Sequence, residues 1–232
     1  MCYFSYNIYN YLSEEKANKK LNEDLIDIAI TTTEIEIGQD NDNINEMPIE
    51  INFEVLKQKN SDIVGWLYLE NSPINFPVVQ GKDNDYYLRR LIDGTYNSAG
   101  TIFMDYRNDK NMNDWNTIIY GHNMKNSTMF GTLLNYKEQS YYDEHKIMYY
   151  ITENKKYKVE LIAGYTESSD AVIYNISTNE HMKYKILESA KNKSTFKSNV
   201  EINAEDKILT LSTCSYDFDE ARYILMGILN EL

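Results

Sequence analysis

Beyond residue 61 the chain breaks into short apolar runs separated by polar stretches. Segments 63–69, 76–79, 101–105, 116–120, 147–152, 157–165, 207–213 and 222–229 concentrate Ile, Val, Leu, Tyr and Phe, residues that suit a pleated, half-buried strand. Asn71-Ser72-Pro73, Asp93-Gly94 and Glu153-Asn154-Lys155-Lys156 punctuate them as turn signals. Runs of this kind at this spacing predict an antiparallel barrel or a sandwich. Helices are predicted over 84–92, 128–135 and 180–191. In the last, Met182, Ile186 and Leu187 fall near one face, as a helix packed on a sheet requires.

The N-terminal part follows a different pattern. Its first twelve residues, MCYFSYNIYNYL, are aromatic and apolar but interrupted by Asn7 and Asn10, whereas a membrane-spanning helix takes about twenty apolar residues. The chain as it stands therefore reads as soluble. Ser13-Glu14-Glu15 signals a helix start, with Leu21, Leu25 and Ile28 following at loose helical spacing. Residues 38–43 read as a loop. Asp40 and Asp42 have the spacing of a calcium loop, but Ile44 occupies the next ligand position and the required glycine is missing, which rejects that site. A solvated linker is expected there instead. Pro48 predicts the opening of a short helix through Phe53, Val55 and Leu56, ending near Asn60. The expected division is an N-terminal segment over 1–50 and one folded domain over 51–232.

Composition narrows the function classes. A net charge of −13 argues against a polyanionic partner such as nucleic acid. Twenty-one tyrosines suit a β-rich chain. Two cysteines, Cys2 and Cys214, are too few for a disulfide framework. Glycine-rich phosphate loops and paired-cysteine metal sites are missing from the sequence, so no cofactor and no metal are expected.

Chemistry concentrates at two strand ends. The stretch 207–222, KILTLSTCSYDFDEAR, delivers Cys214 at the end of an apolar run and Arg222 eight residues later. A thiolate is favoured by nearby positive charge, which makes this a nucleophile site; the other reading is an inert, buried cysteine. Asp217, Asp219 and Glu220 lie between the two and are expected to compete for the cation. The stretch 116–124, NTIIYGHNM, delivers His122 after Gly121. Thiol catalysis needs a proton carrier near neutral pH, and histidine fits. Of the three histidines, His145 lies in a charged stretch and His181 on a polar helical segment, so both read as solvated.

TLSTC with the following Arg222, together with YGHNM, resembles the sortases, and the spacing most resembles class B sortases of Gram-positive bacteria. The similarity runs over about 61–229 and includes IVGWLYLE, INFPVVQGKDNDYYL, GTIFMDYRN and the insert between 174 and 196. It implies an eight-stranded β-barrel with N-terminal helices and a long helix between two late strands. It implies a cysteine transpeptidase in which Cys214 attacks a substrate threonine carbonyl and forms a thioacyl intermediate. His122 would protonate the departing amine and deprotonate the incoming one, while Arg222 holds substrate and stabilises the oxyanion. Arg222 read without the resemblance is a surface cation.

Matched position by position, the class B pattern implies a substrate groove lined by Asn84, Leu88, Tyr120, Ile173, Tyr174, Ser212 and Thr213. For Leu88 and Ile173 a plain core reading stands beside it. Ser215 falls where class B relatives differ. The implied partners are surface proteins carrying a C-terminal signal of the Asn-Pro-x-Thr-Asn or Ser/Asn-Pro-x-Thr-Gly type, cut after threonine. The acceptor is an amine of peptidoglycan or its lipid-linked precursor. The resemblance also implies an N-terminal signal-anchor, with residues 1–12 as its tail end, and an extracellular catalytic domain; the alternative for 1–12 is an ordinary amphipathic helix. Two rival functions share these residues: a hydrolytic cysteine peptidase, and a non-catalytic barrel that binds cell-wall peptides.

Overall fold

Eight strands close into a barrel in the computed structural model, which describes residues 2–32, 47–126, 128–176, 178–203 and 205–232. Around the ring they are β3 (Ile63–Tyr68), β4 (Asn75–Val79), β5 (Phe103–Met104), β6 (Asn116–Tyr120), β9 (Ile208–Cys214), β10 (Ala221–Glu231), β8 (Lys156–Ser168) and β7 (Ile147–Ile151). A separate antiparallel pair joins β1 (Ile30–Thr32) to β2 (Ile49–Ile51). Each predicted strand run has its counterpart in the ring. The predicted antiparallel pairing does not hold throughout, because β4 with β5 and β6 with β9 are parallel. Parallel neighbours need long crossovers, and the intervening chain builds the walls of the functional site.

Alternation along the strands sorts the side chains. Leu67, Val78, Met104, Ile119, Tyr150, Val159, Leu211 and Leu225 come from all eight strands and pack into one cluster, which is therefore the barrel interior. Two further clusters lie outside the ring. In one, Leu25 and Ala29 of α1 (Cys2–Ala29) join Phe53 and Leu56 of α2 (Phe53–Lys59) against Trp66, Val79 and Phe103. A short α3 (Gln139–Glu144) leads into β7. In the other outer cluster, Ile186, Leu187 and Ala190 of α4 (Glu180–Lys193) cover Ile162, Ile224 and Met226.

Several helix expectations need correction. α1 runs unbroken through Ser13, and Glu14 accepts from the Ser98 amide at 3.0 Å and its hydroxyl at 2.5 Å rather than opening a helix. Pro48 precedes β2, and α2 starts at Phe53, capped by Asn52, whose side chain accepts from the Val55 amide at 3.1 Å. The predicted helix over 84–92 reduces to a single 3₁₀ turn at Tyr87–Arg89, because Arg90 bridges to Tyr96 instead. The one over 128–135 is a 3₁₀ segment, Phe130–Lys137, entered through Met129 at φ 53°. The predicted strand 101–105 shortens to two residues. The expected linker and the rejected calcium loop at 38–43 lie outside the described residues. Among the described residues, no helix is long and apolar enough to cross a membrane.

Candidate active site

Register brings the two strand ends together. β6 and β9 run parallel with Tyr120 opposite Ser212, so His122 and Cys214, each two residues further on, end level on neighbouring strands. β9 and β10 are antiparallel with Cys214 opposite Arg222. The thiol strand thus lies between the imidazole and guanidinium strands, each about 4.8 Å away. Since Leu211, Ile119 and Leu225 point into the barrel, strict alternation turns Ser212, Cys214, Tyr120 and Arg222 outward. They line a groove of about 440 Å³ that also takes in His122, Leu88 and Tyr174.

Short contacts fix the strand ends. The Thr213 hydroxyl donates to the Gly121 carbonyl at 2.8 Å, and the Asn123 amide donates to the Cys214 carbonyl at 2.9 Å. Gly121 has no room for a side chain: a Cβ would lie 2.5 Å from Ile102 and 2.6 Å from the Phe130 ring. His122 Nε2 bonds the Leu88 carbonyl at 2.7 Å. A carbonyl only accepts, so Nε2 carries hydrogen and Nδ1 is left as the basic nitrogen. Burial lowers the His122 pKa below its ordinary value, reinforced by nearby Arg89 and opposed by the Leu88 bond. Cys214 is a free, half-buried thiol.

Arg222 keeps donors available. It bonds the Ala221 carbonyl at 3.1 Å and reaches Glu220 only at 3.4 Å. The expected competition from Asp217 is absent, for a physical reason. Asp217 is tied to Lys137 at 2.8 Å, Ser215 at 2.5 Å and Thr166 at 2.9 Å, and these partners, Lys137 foremost, hold its carboxyl down to about 2.

The far wall is aromatic and polar. The Tyr120 and Tyr174 rings stack at 6.2 Å, and the Tyr174 hydroxyl shares a 2.8 Å hydrogen bond with Ser212. Asn84, Leu88 and Thr213 also border the groove. Ile173 does not. Its side chain is 1% exposed within the outer cluster under α4, and its carbonyl accepts from Asn116 at 2.8 Å, so the core reading of this residue is the one the structure supports. His181 is exposed, but His145 is half-buried, stacked on Tyr141 at 4.1 Å, and is not the solvated residue expected. Sequence reasoning overlooked Phe103, Arg107 and Ser169, which also line the groove, and the buried Asp105 beside it. GTIFMDYRN carried Phe103, Asp105 and Arg107 in plain view, but an acid and a base two apart look like surface loop.

A thiol, an imidazole and a guanidinium at neighbouring strand ends, all lining one groove, are the groups that thiol-dependent acyl transfer requires. The profile of the Sortase domain family matches residues 67–230. Sortase B of Staphylococcus aureus (strain NCTC 8325 / PS 47) is 39% identical over 170 residues, 72% of this chain and 69% of that protein. Sortase B of Listeria monocytogenes serovar 1/2a is 37% identical over 177 residues, covering 75% and 72% of the two chains. Among solved structures, sortase B from B. anthracis in complex with AAEK1 superposes with a TM-score of 0.80 at 32% identity, covering 95% of this chain and 100% of that one. A Staphylococcus aureus sortase B-substrate complex gives 0.74 at 34% identity, covering 78% and 85%. The chain belongs to the sortase family, on its class B branch. It is a cysteine transpeptidase that anchors surface proteins to the cell wall.

Proposed function

We propose that Cys214 is the nucleophile, His122 the proton carrier and Arg222 the cation that holds substrate and the developing oxyanion. The carrying observation is that these three side chains line one groove. The thiol proton passes to His122 Nδ1, and the thiolate attacks the threonine carbonyl of the sorting signal. The peptide C–N bond breaks as His122 returns that proton to the departing amine. An incoming amine then attacks the thioester, loses its proton to His122, and leaves an amide and a regenerated thiol. Arg222 contributes fixed charge beside the carbonyl oxygen, where charge accumulates in both steps.

Asn84, Leu88, Tyr120, Tyr174, Ser212 and Thr213 receive the signal in this reading. Its type is Asn-Pro-x-Thr-Asn or Ser/Asn-Pro-x-Thr-Gly, cut after threonine. The acceptor is a peptidoglycan amine; a solved sortase B complexed with triglycine supports a glycine amine. Residues 51–232 form the catalytic domain on the outer face of the membrane, and 1–50 are its membrane-proximal part, next to an N-terminal anchor.

Intact-mass measurement after mixing the enzyme with a set of such peptides tests this reading. A thioacyl adduct on Cys214 is expected, discharged to an amide product by triglycine and lost in Cys214→Ala. No adduct with any peptide would overturn it. An adduct discharged only to the free acid, whatever the amine concentration, would favour the hydrolytic peptidase.

A further inference from the structure

We propose that Asp105, which touches none of the reacting groups, is the positioning residue of the substrate groove. The inference rests on the sorting reaction assigned above. Asp105 is fully buried at 0% exposure, directly after β5. Its Oδ1 accepts from the Arg107 amide at 3.0 Å and Nε at 2.9 Å. Its Oδ2 accepts from Arg107 Nη2 at 2.7 Å, the Asn84 side chain at 3.1 Å and the Tyr120 hydroxyl at 3.0 Å. A carboxylate offers about four lone-pair sites, so these five donors saturate it.

Four of the donors belong to side chains of three residues that line the groove: Asn84, Arg107 and Tyr120. The order extends further. Arg107 also donates to the Tyr174 carbonyl at 3.2 Å, Tyr174 stacks on Tyr120, and the Asn84 side-chain oxygen, Oδ1, accepts from the Tyr106 amide at 3.0 Å. One carboxylate thus sets the wall facing the nucleophile strand. Burial alone would push this carboxyl up, but the bonds from Arg107, Tyr120 and Asn84 outweigh it and keep it ionised.

Position separates binding from chemistry. The Asp105 amide donates to the Ile118 carbonyl, and Ile118 pairs with Thr210 on β9. Asp105 is therefore two strands across from Cys214 and four residues back, on the order of 10 Å by 13 Å. It cannot touch the reacting carbonyl. Its loss acts on peptide affinity.

Steady-state transfer of a sorting peptide to triglycine by Asp105→Asn tests this. The amide places an NH2 where donors already converge, so the wall loses its common acceptor. KM for the peptide is expected to rise about tenfold or more, as for loss of a hydrogen bond to a charged group. The expected kcat stays within about twofold, and the rate of Cys214 alkylation by iodoacetamide is unchanged. Tyr120→Phe is expected to raise KM as well, and to add less than its full effect to Asp105→Asn. A merely structural role would instead lower kcat and slow or hasten alkylation. If Asp105→Asn does not fold, Arg107→Gln and Asn84→Ala are expected to reproduce the KM rise. Unchanged KM in whichever variants fold, with wild type forming its Cys214 adduct, overturns this inference alone; a wild type without an adduct overturns the sorting reading and this one with it.

Discussion

His122 shows how much a single contact decides. With hydrogen on Nε2 and burial disfavouring the cation, the ring is neutral near pH 7 and ready to take a proton at Nδ1. The acid limb of kcat/KM is therefore expected at a midpoint below the ordinary histidine value of about 6.5. A pH–rate profile with its acid limb above that value would contradict this assignment. The same shift has a stability consequence. A depressed histidine pKa means that the unfolded chain binds the proton first, so stability is complete above about pH 6.5 and declines as pH falls through the folded value. Its neighbour Gly121 is fixed by space. Gly121→Ala drives a methyl into Ile102 and Phe130, an overpacking that costs about 1–3 kcal/mol. Because His122 follows directly, kcat is expected to fall with the melting temperature, and thermal melts with paired kinetics would check both. Legibility at this scale depended on chemistry. Cys214, His122 and Arg222 stood out as rare or charged residues at strand ends. Asp105 did not, because burial and five converging donors are products of tertiary structure, and no local pattern marks a carboxylate that the fold will enclose.

At the scale of elements, the short apolar runs were readable because strand residues carry their own hydrophobic signature. The directions of pairing were not. Nothing local in Phe103-Met104 or in Asn116–Tyr120 dictates the parallel registers with β4 and β9; the long crossovers dictate them, and those are visible only in the closed barrel. Local propensity also misled where tertiary bonds overrode it, as at residues 84–92 and at Ser13. α1 is the clearest case of an element whose role exceeds its pattern. Its Asn18 donates to the Gly100 carbonyl at 3.2 Å and Glu14 binds Ser98, while Gly100 sits against the Leu88 carbonyl that holds His122. Leu25, 3% exposed, anchors the helix on Trp66 and Val79. Leu25→Ala is expected to cost about 2–5 kcal/mol in denaturant unfolding. A cost below about 1 kcal/mol would mean that α1 is only loosely docked.

At the scale of the whole molecule, charge and fold meet at the acceptor step. The chain carries −13, yet the cations at the groove are locally compensated, Arg107 by Asp105 and Arg222 in part by Glu220. The outer field is therefore negative, and it concentrates cationic amines while leaving water unaffected. Hydrolysis and aminolysis compete for the same thioester, so their ratio reports this field directly. With triglycine amide, a cation, at a concentration below saturation, the ratio of amide to acid product is expected to fall as salt rises from about 10 mM to 150 mM, over which the Debye length shrinks from about 30 Å to 8 Å. Free triglycine, whose carboxylate cancels its ammonium, is expected to show a much smaller change. Measuring both products by chromatography at fixed pH removes differences in amine protonation. Equal salt responses for the two nucleophiles would mean that acceptor delivery is governed by contacts inside the groove and not by the net charge of the protein.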